Sequence, residues 1–217
     1  AQTSAEFVGE PGLAPERSSQ ADLWIEGAYE RFTVSANVFG RTVDDYITIE
    51  ATDLEKRLPL SPDTVFRYVN GEADFWGFEA TAAYALSEAF TADASVAHLW
   101  GQDERLDEPV LGIEPWRGSL GLRWEDPDGR AFLATGATAV AEQERVAELR
   151  GEEPTVGYVT FSARGGVQLY RGLNLRAGVE NLADRDYTNH LNAKNPFTGT
   201  QIPEPGRVAF VDLIWEF

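Results

Sequence analysis

Apolar and polar side chains alternate strictly along several segments of the chain. From Tyr158 to Tyr170 the odd positions are apolar or small, whereas the even positions are mostly polar. The same alternation runs through residues 173–180, 116–125 and 32–39. A period of two indicates β-strands with one face in an apolar environment and the other in a polar one.

The pattern predicts nine strands, near residues 20–30, 31–49, 65–86, 89–101, 115–125, 130–141, 157–170, 173–182 and 206–217. Very short connections alternate with long ones, and the long ones lie near residues 50–64, 102–114, 142–156 and 183–205. A soluble β-sandwich, which is one alternative, does not require this order. An outer-membrane β-barrel does, because tight periplasmic turns lie on one side of the membrane and long external loops on the other. The long connections are therefore predicted to be external loops.

Composition narrows the class further. Aromatic residues make up 12% of the 217 positions, and both cysteine and methionine are absent. Disulfides and thiolate metal sites are thereby excluded. No apolar run approaches the roughly 18 residues of a membrane-spanning helix. Position 1 is not methionine and no signal peptide is recognisable, so we expect a mature form or a fragment.

The formal net charge of −18 disfavours nucleic acid as a partner, because an acidic surface repels phosphate backbones. Solubility and adaptation to salt both account for such a charge. A functional alternative is an acidic barrel mouth that attracts cations.

Several motifs, in order, resemble those of TonB-dependent receptors. Residues 178–187, GVENLADRDY, resemble the stretch GVENLFDKDY of that family. They are followed by Asn189–Asn192, by Pro203–Arg207 and by a last strand that ends at Phe217. Upstream, residues 8–16 resemble the GNPDLKPE loop and residues 68–79 resemble the YVNVGEARIRGVELE strand. The resemblance covers essentially the whole chain.

The resemblance implies an all-β fold, an antiparallel transmembrane β-barrel. The family's barrel has 22 strands and an N-terminal plug in its lumen. Residues 1–217 would supply about nine C-terminal strands of such a barrel, without the plug. Nine strands cannot close without two exposed edges in lipid, so a fragment or one piece of a split barrel is expected.

The implied function is active uptake across the outer membrane, not catalysis. External loops would capture a ferric siderophore, another metal chelate or cobalamin, and TonB, reached through the missing N-terminal part, would supply the energy. Outer-membrane lipid, the assembly machinery and the cargo would be the other partners. Two alternatives stay open, a passive porin-like or split barrel and an outer-membrane hydrolase.

The residues themselves indicate no catalytic constellation, no metal site and no cofactor. His190 in the last long loop is a candidate ligand contact, together with Asn189, Asn192 and Lys194. Charged side chains on the polar strand faces are predicted to face the lumen or the plug: Arg117, Arg123, Arg164, Arg176 and Glu180. The last strand is predicted to close the barrel through Val211, Leu213, Trp215 and Phe217.

Overall fold

The computed structural model describes residues 5–59, 61–195 and 198–215. These residues form one sheet of eleven strands and one turn of 3-10 helix, Glu148–Arg150. The strands are β1 (Glu6–Val8), β2 (Arg17–Ala28), β3 (Phe32–Thr52), β4 (Val65–Ala85), β5 (Phe90–Asp103), β6 (Glu108–Pro109), β7 (Arg117–Glu125), β8 (Ala131–Val140), β9 (Tyr158–Tyr170), β10 (Leu173–Glu180) and β11 (Val208–Trp215). The nine long strands confirm the prediction, and we call them the wall. The short strands β1 and β6 were not predicted.

The wall is an antiparallel meander. Its order is β11-β10-β9-β8-β7-β5-β4-β3-β2, so each long strand pairs with its neighbour in sequence. β1 runs parallel to the start of β4, and β6 pairs with the end of β5. The all-β antiparallel fold predicted from the sequence is thus confirmed. Among the described residues, no helix has the length and apolarity needed to cross a membrane.

The two faces of the wall differ in chemistry. Directly opposed residues share a face, and hydroxyls form a row across it, with Ser35 2.9 Å from Thr81 and Ser95 2.7 Å from Ser119 between oxygens. We call this the polar face. The opposite, apolar face leaves large side chains exposed, including Leu120 at 67% and Val211 at 71%. A face of this kind is stable only against an apolar environment.

Aromatic rings cluster on the apolar face near one end of β4 and β5. The His98 and Trp116 rings stack with centroids 4.1 Å apart, and Trp76 stacks on Trp100 at 6.4 Å. His98 shares this face with Trp100. Trp24 pairs with Asn37 and lies on the polar face.

A bulge in β3 changes which face its last residues use. The pairing with β4 shifts between Asp44 and Tyr46, and Asp45 has a φ of 56°. Aspartate is one of the few residues that adopt this left-handed conformation. The extra residue turns Tyr46 and Thr48 to the polar face, where an unbroken strand would have directed them to the apolar face.

The connection between β5 and β7 packs over the polar face. Ala73, Val110 and Ile113 form a buried cluster, against which Tyr46 and Phe75 pack. The apolar patch at this end of the polar face is therefore covered by the chain's own connection. We call the described parts of residues 104–116, 141–157 and 181–207 the cap.

The predicted closing strand is described as far as Trp215. Val211, Leu213 and Trp215 lie on the apolar face and are all largely exposed. Phe217 lies outside the described residues. Within the described ranges β11 pairs with β10 alone, so closure of the barrel stays a prediction.

Candidate functional site

The five charged residues predicted for the lumen all lie on the polar face. Arg123 and Arg164 both pair with Ala134, and Arg176 pairs with Gly166. Arg123 donates to Glu125 at 2.7 Å, and its guanidinium lies 4.3 Å from the centre of the Phe132 ring.

Three of these arginines have no carboxylate partner in the part of the chain that the structure describes. Among the described residues, Arg117, Arg164 and Arg176 make no ion pair. Glu180, the fifth predicted residue, is likewise without one. The polar face therefore carries exposed charges that remain available to water or to another chain segment.

Arg150 is the central residue of the cap. It is 1% exposed, and its Nη1 donates to Thr48 Oγ1 at 2.8 Å and to Asp103 Oδ2 at 2.9 Å. Its Nη2 donates to the carbonyl of Pro109, and its Nε lies 3.5 Å from Glu108 Oε2. One buried guanidinium thus joins the 141–157 connection to β3, β5 and β6.

His190 connects the last long loop to the same unit. Its Nδ1 lies 3.0 Å from Thr155 Oγ1, and its Nε2 lies 3.1 Å from Glu152 Oε1. The Glu152 carboxylate also accepts from the backbone N–H groups of Gly112 at 2.8 Å and Ala147 at 2.7 Å. Both ring nitrogens are therefore engaged within the cap.

The buried Glu152 carboxylate stays acidic despite its surroundings. Burial is the largest influence and acts to raise its pKa. The hydrogen bonds from His190, Ala147 and Gly112 together outweigh burial, so the pKa of Glu152 lies below its ordinary value. The carboxylate is thus held in its charged form by the contacts that join the loops.

The order Thr155, His190, Glu152 has the form of a hydroxyl–imidazole–carboxylate triad. The backbone of Thr155 is fixed by two hydrogen bonds with Gln143, and His190 is 3% exposed. Both carboxylate oxygens of Glu152 already serve backbone donors. These contacts describe a joint between loops.

The other predicted ligand residues face different directions. Asn192 donates to Ile202 O and to Glu204 Oε1, both at 2.9 Å. Lys194 donates to Gly151 O at 3.0 Å and pairs with Glu153 at 3.3 Å. Asn189 lines a cavity. The four residues therefore lie in one loop without converging on one point, and a ligand role for them stays a prediction.

The cavity has a volume of about 460 Å³ and lies on the polar face beneath the last loop. The wall contributes Arg117, Thr138, Tyr158, Thr160, Ser162 and Glu180, and the loop contributes Asn181, Tyr187, Asn189, Glu204, Pro205 and Gly206. Two of the predicted lumen residues and one of the predicted ligand residues therefore meet here.

The motif at residues 178–187 builds one side of this cavity. Asn181 has a φ of 50°, and its side chain donates to Arg185 O at 2.8 Å and accepts from Arg185 N at 2.9 Å. Asp184 accepts from the backbone N–H of Arg207 at 2.7 Å, which ties the two ends of the loop together. This tight turn brings Tyr187 over Tyr158, with ring centroids 4.3 Å apart.

Negative charges outnumber positive charges around the cavity. Burial raises the pKa of Tyr187, and the carboxylates of Glu204 and Glu180 raise it further, whereas Arg117 opposes them. Tyr187 therefore lies within the field of two carboxylates and one guanidinium. Among the described residues, no cluster of histidine, aspartate and glutamate side chains is arranged to hold a metal ion.

The fold and the polar face define a class, the wall of a two-faced β-barrel. The sequence profile of the family "TonB dependent receptor-like, beta-barrel" matches residues 1–182. The chain belongs to this family, which confirms the resemblance inferred from the motifs. A search among curated proteins gives no match.

Solved structures of the same family superpose on the chain. The copper transporter OprC is 27% identical over 96% of this chain, with a TM-score of 0.85. The FrpB iron transporter from Neisseria meningitidis (F5-1 variant) is 15% identical over 99% of this chain, with a TM-score of 0.73. A mutant ferric enterobactin receptor, PfeA, from Pseudomonas aeruginosa is 18% identical over 99%, also with a TM-score of 0.73. The chain spans 33%, 34% and 34% of their respective lengths.

Sequence reasoning missed two parts of the site. Arg150 was not singled out, because a lone arginine in an acidic loop carries no local signal of burial. Tyr158 and Tyr187 were read as a strand residue and a motif residue, and their stacking joins positions on different segments. The only available signal was the turn chemistry of Asn181 and Asp184.

Proposed function

We propose that this chain forms part of the wall and mouth of an outer-membrane active-transport receptor. The main support for this proposal is the two-faced wall, which exposes large apolar side chains on one face and carries charges and hydroxyls on the other. Such a sheet suits lipid outside and a hydrated lumen inside. The relatives that transport copper and iron, and the receptor for ferric enterobactin, support the same role.

The unpaired arginines of the polar face support contact with a plug. A charge that is covered without a partner is strongly unfavourable, so Arg117, Arg164 and Arg176 need water or carboxylates from another segment. We propose that an N-terminal plug of the same receptor supplies some of these carboxylates, and that TonB acts on that plug. The free edge of β11 and its apolar residues support recognition by the assembly machinery and closure of the barrel.

The cargo proposed is a scarce nutrient, such as a ferric siderophore, another metal chelate or cobalamin. Bare copper is a poor fit for this chain, because soft sulfur ligands favour Cu(I) and the chain has neither cysteine nor methionine. His190 is engaged by Thr155 and Glu152, and His98 faces the apolar side. Oxygen and nitrogen groups of the cap are therefore the proposed cargo contacts, including those of Asn189.

The test combines size with energy dependence. An antibody against β11 should detect, in native outer membranes, a polypeptide of about 70 kDa or more, since 22 strands and a plug need that length. Uptake of a labelled metal chelate should be lost when the gene is deleted, when TonB is deleted or when a protonophore is added. A membrane band near 23.9 kDa, or uptake that persists without TonB, would favour the passive or split barrel instead.

A further inference from the structure

The cavity beneath the last loop combines three features. Its lining contains a pair of tyrosine rings, the carboxylates of Glu180 and Glu204, and hydroxyl and amide groups beside Arg117 and a few apolar residues. Aromatic faces and carboxylates attract the same kind of ligand group, because the face of an aromatic ring is electron-rich. Both favour a cation.

Tyr158 adds an independent observation. It is 9% exposed and lies on the polar face, where it lines the cavity. Among the described residues, its phenol hydroxyl has no hydrogen-bond partner, and the hydroxyl oxygen is not one of the buried unpartnered atoms, so it stays accessible from the cavity. A hydroxyl that is open to a cavity and makes no hydrogen bond within the fold is suited to contact a ligand.

The fold holds Glu204 in place before any ligand arrives. Its carboxylate accepts from Asn192 at 2.9 Å, and its backbone N–H donates to Tyr187 O at 2.9 Å. The same loop thereby fixes one carboxylate and one ring of the cavity. A site whose groups are already positioned loses little conformational freedom on binding.

Arg117 is the one cationic side chain among the lining residues. Two carboxylates line the same cavity, so the local balance is negative. The Arg117 side chain is exposed to solvent. A purely anionic ligand would meet the two carboxylates at close range, which disfavours it strongly.

We propose that this cavity binds an organic ammonium group of the cargo, which rests on the tyrosine rings and pairs with Glu180 and Glu204. The inference rests on the proposed uptake function and names the chemical class that the site selects. It makes Tyr158, Tyr187 and the two glutamates specificity-determining residues. Cargo that lacks a positively charged amine would bind more weakly.

The test uses two ligands that differ in one charge. The first is an iron trihydroxamate complex with one free terminal amine, and the second is the same complex with that amine acetylated. Binding of each to the purified intact receptor is measured by isothermal titration calorimetry. We expect the amine complex to bind about tenfold more tightly, and this ratio should shrink as salt is raised.

Variants of the lining residues test whether the cavity causes that preference. Glu180→Gln and Glu204→Gln should each bring the ratio of the two affinities toward one, and Tyr187→Leu should weaken binding of the amine complex more than that of the acetylated one. Glu144→Gln is the matched control, because Glu144 is exposed in the cap and does not line the cavity. Its ratio should equal that of the unaltered receptor.

Three results would overturn the inference. Equal binding of the two complexes would remove the ammonium preference, and so would failure of the receptor to bind either complex. If the preference persists in both glutamate variants, the ammonium group binds at another part of the receptor. None of these results touches the proposed uptake function, which fails only if TonB-dependent uptake of metal chelates is absent.

Discussion

Different kinds of interaction stabilise the wall and the cap. The wall is a continuous ladder of backbone hydrogen bonds in which each long strand pairs with its neighbour. The cap has few ladder bonds and depends on buried side-chain contacts, above all the ion pair of Arg150 with Asp103 and the hydrogen bond between His190 and Glu152. A ladder distributes its stability over many equivalent bonds, whereas a buried ion pair concentrates it in a few atoms.

This difference predicts which substitutions the chain tolerates. In the wall, a side chain matters mainly through the face that it occupies. In the cap, one buried guanidinium or imidazole links segments that are far apart in the sequence. Single substitutions in the cap should therefore act over long distances, and those in the wall should act locally.

The largest effect is expected for Arg150→Met. Removing the guanidinium leaves Asp103 and Glu108 buried without their cation, which costs about 3–5 kcal/mol in comparable buried pairs. Limited proteolysis with mass spectrometry should then show cleavage within residues 104–116 and 141–157, with the wall intact. Arg171→Met, in an exposed turn, is the control. Equal cleavage of both variants would contradict the central role of Arg150.

The two faces of the wall should respond in opposite ways to a new charge. Leu120→Arg places a charge on the apolar face and should destabilise the protein by about 2–4 kcal/mol in a bilayer. Ser119→Arg, one position away, directs the same charge to the polar face and should have a smaller effect. Urea titration of the receptor folded into lipid measures both. A larger effect at Ser119 would reverse the assignment of the faces.

An alanine should destabilise the protein more at Gly157, at the border of the wall, than at Gly121 within the wall. A Cβ at Gly157 would lie 2.8 Å from Val140 O and 2.9 Å from Glu142 N, and backbone atoms cannot rotate away. Gly157→Ala should cost about 1–3 kcal/mol, as overpacking does. At Gly121 the three atoms nearest to the added methyl all belong to the Asp93 carboxylate, which can turn aside. Gly121→Ala should change the unfolding free energy by roughly 0.5 kcal/mol or less.

The smallest effect is a pH dependence within the cap. The pKa of Glu152 is lowered in the folded protein, so its contribution is present above the ordinary carboxyl value of about 4.3 and is lost as pH falls through the lowered value. We expect a loss of about 1–2 kcal/mol, seen as faster proteolysis of residues 183–195 in acid.

Two variants check the source of that acid sensitivity. Glu152→Gln should weaken the joint at neutral pH and remove its dependence on acid. Glu153→Gln alters the adjacent, exposed carboxylate and should retain the dependence. If both variants keep the same acid sensitivity as the unaltered protein, another group controls the loop.

Much of the wall was predictable from the sequence, and little of the cap was. The alternation from Tyr158 to Tyr170 fixed the strand and its polar face, because a period of two is a local property. The bulge at Asp45 left no local signal, and it reverses the direction of Thr48.

The sequence by itself determined the nine long strands, the two chemically different faces and the family of the chain. Only the tertiary structure decided that Arg150 meets Asp103 and Thr48, that His190 joins two loops, and that Tyr158 and Tyr187 line one cavity with Glu180 and Glu204. Alternation and turn chemistry are set by neighbouring residues. Contacts between loops depend on where the whole sheet carries them, and no short segment of the sequence contains that information.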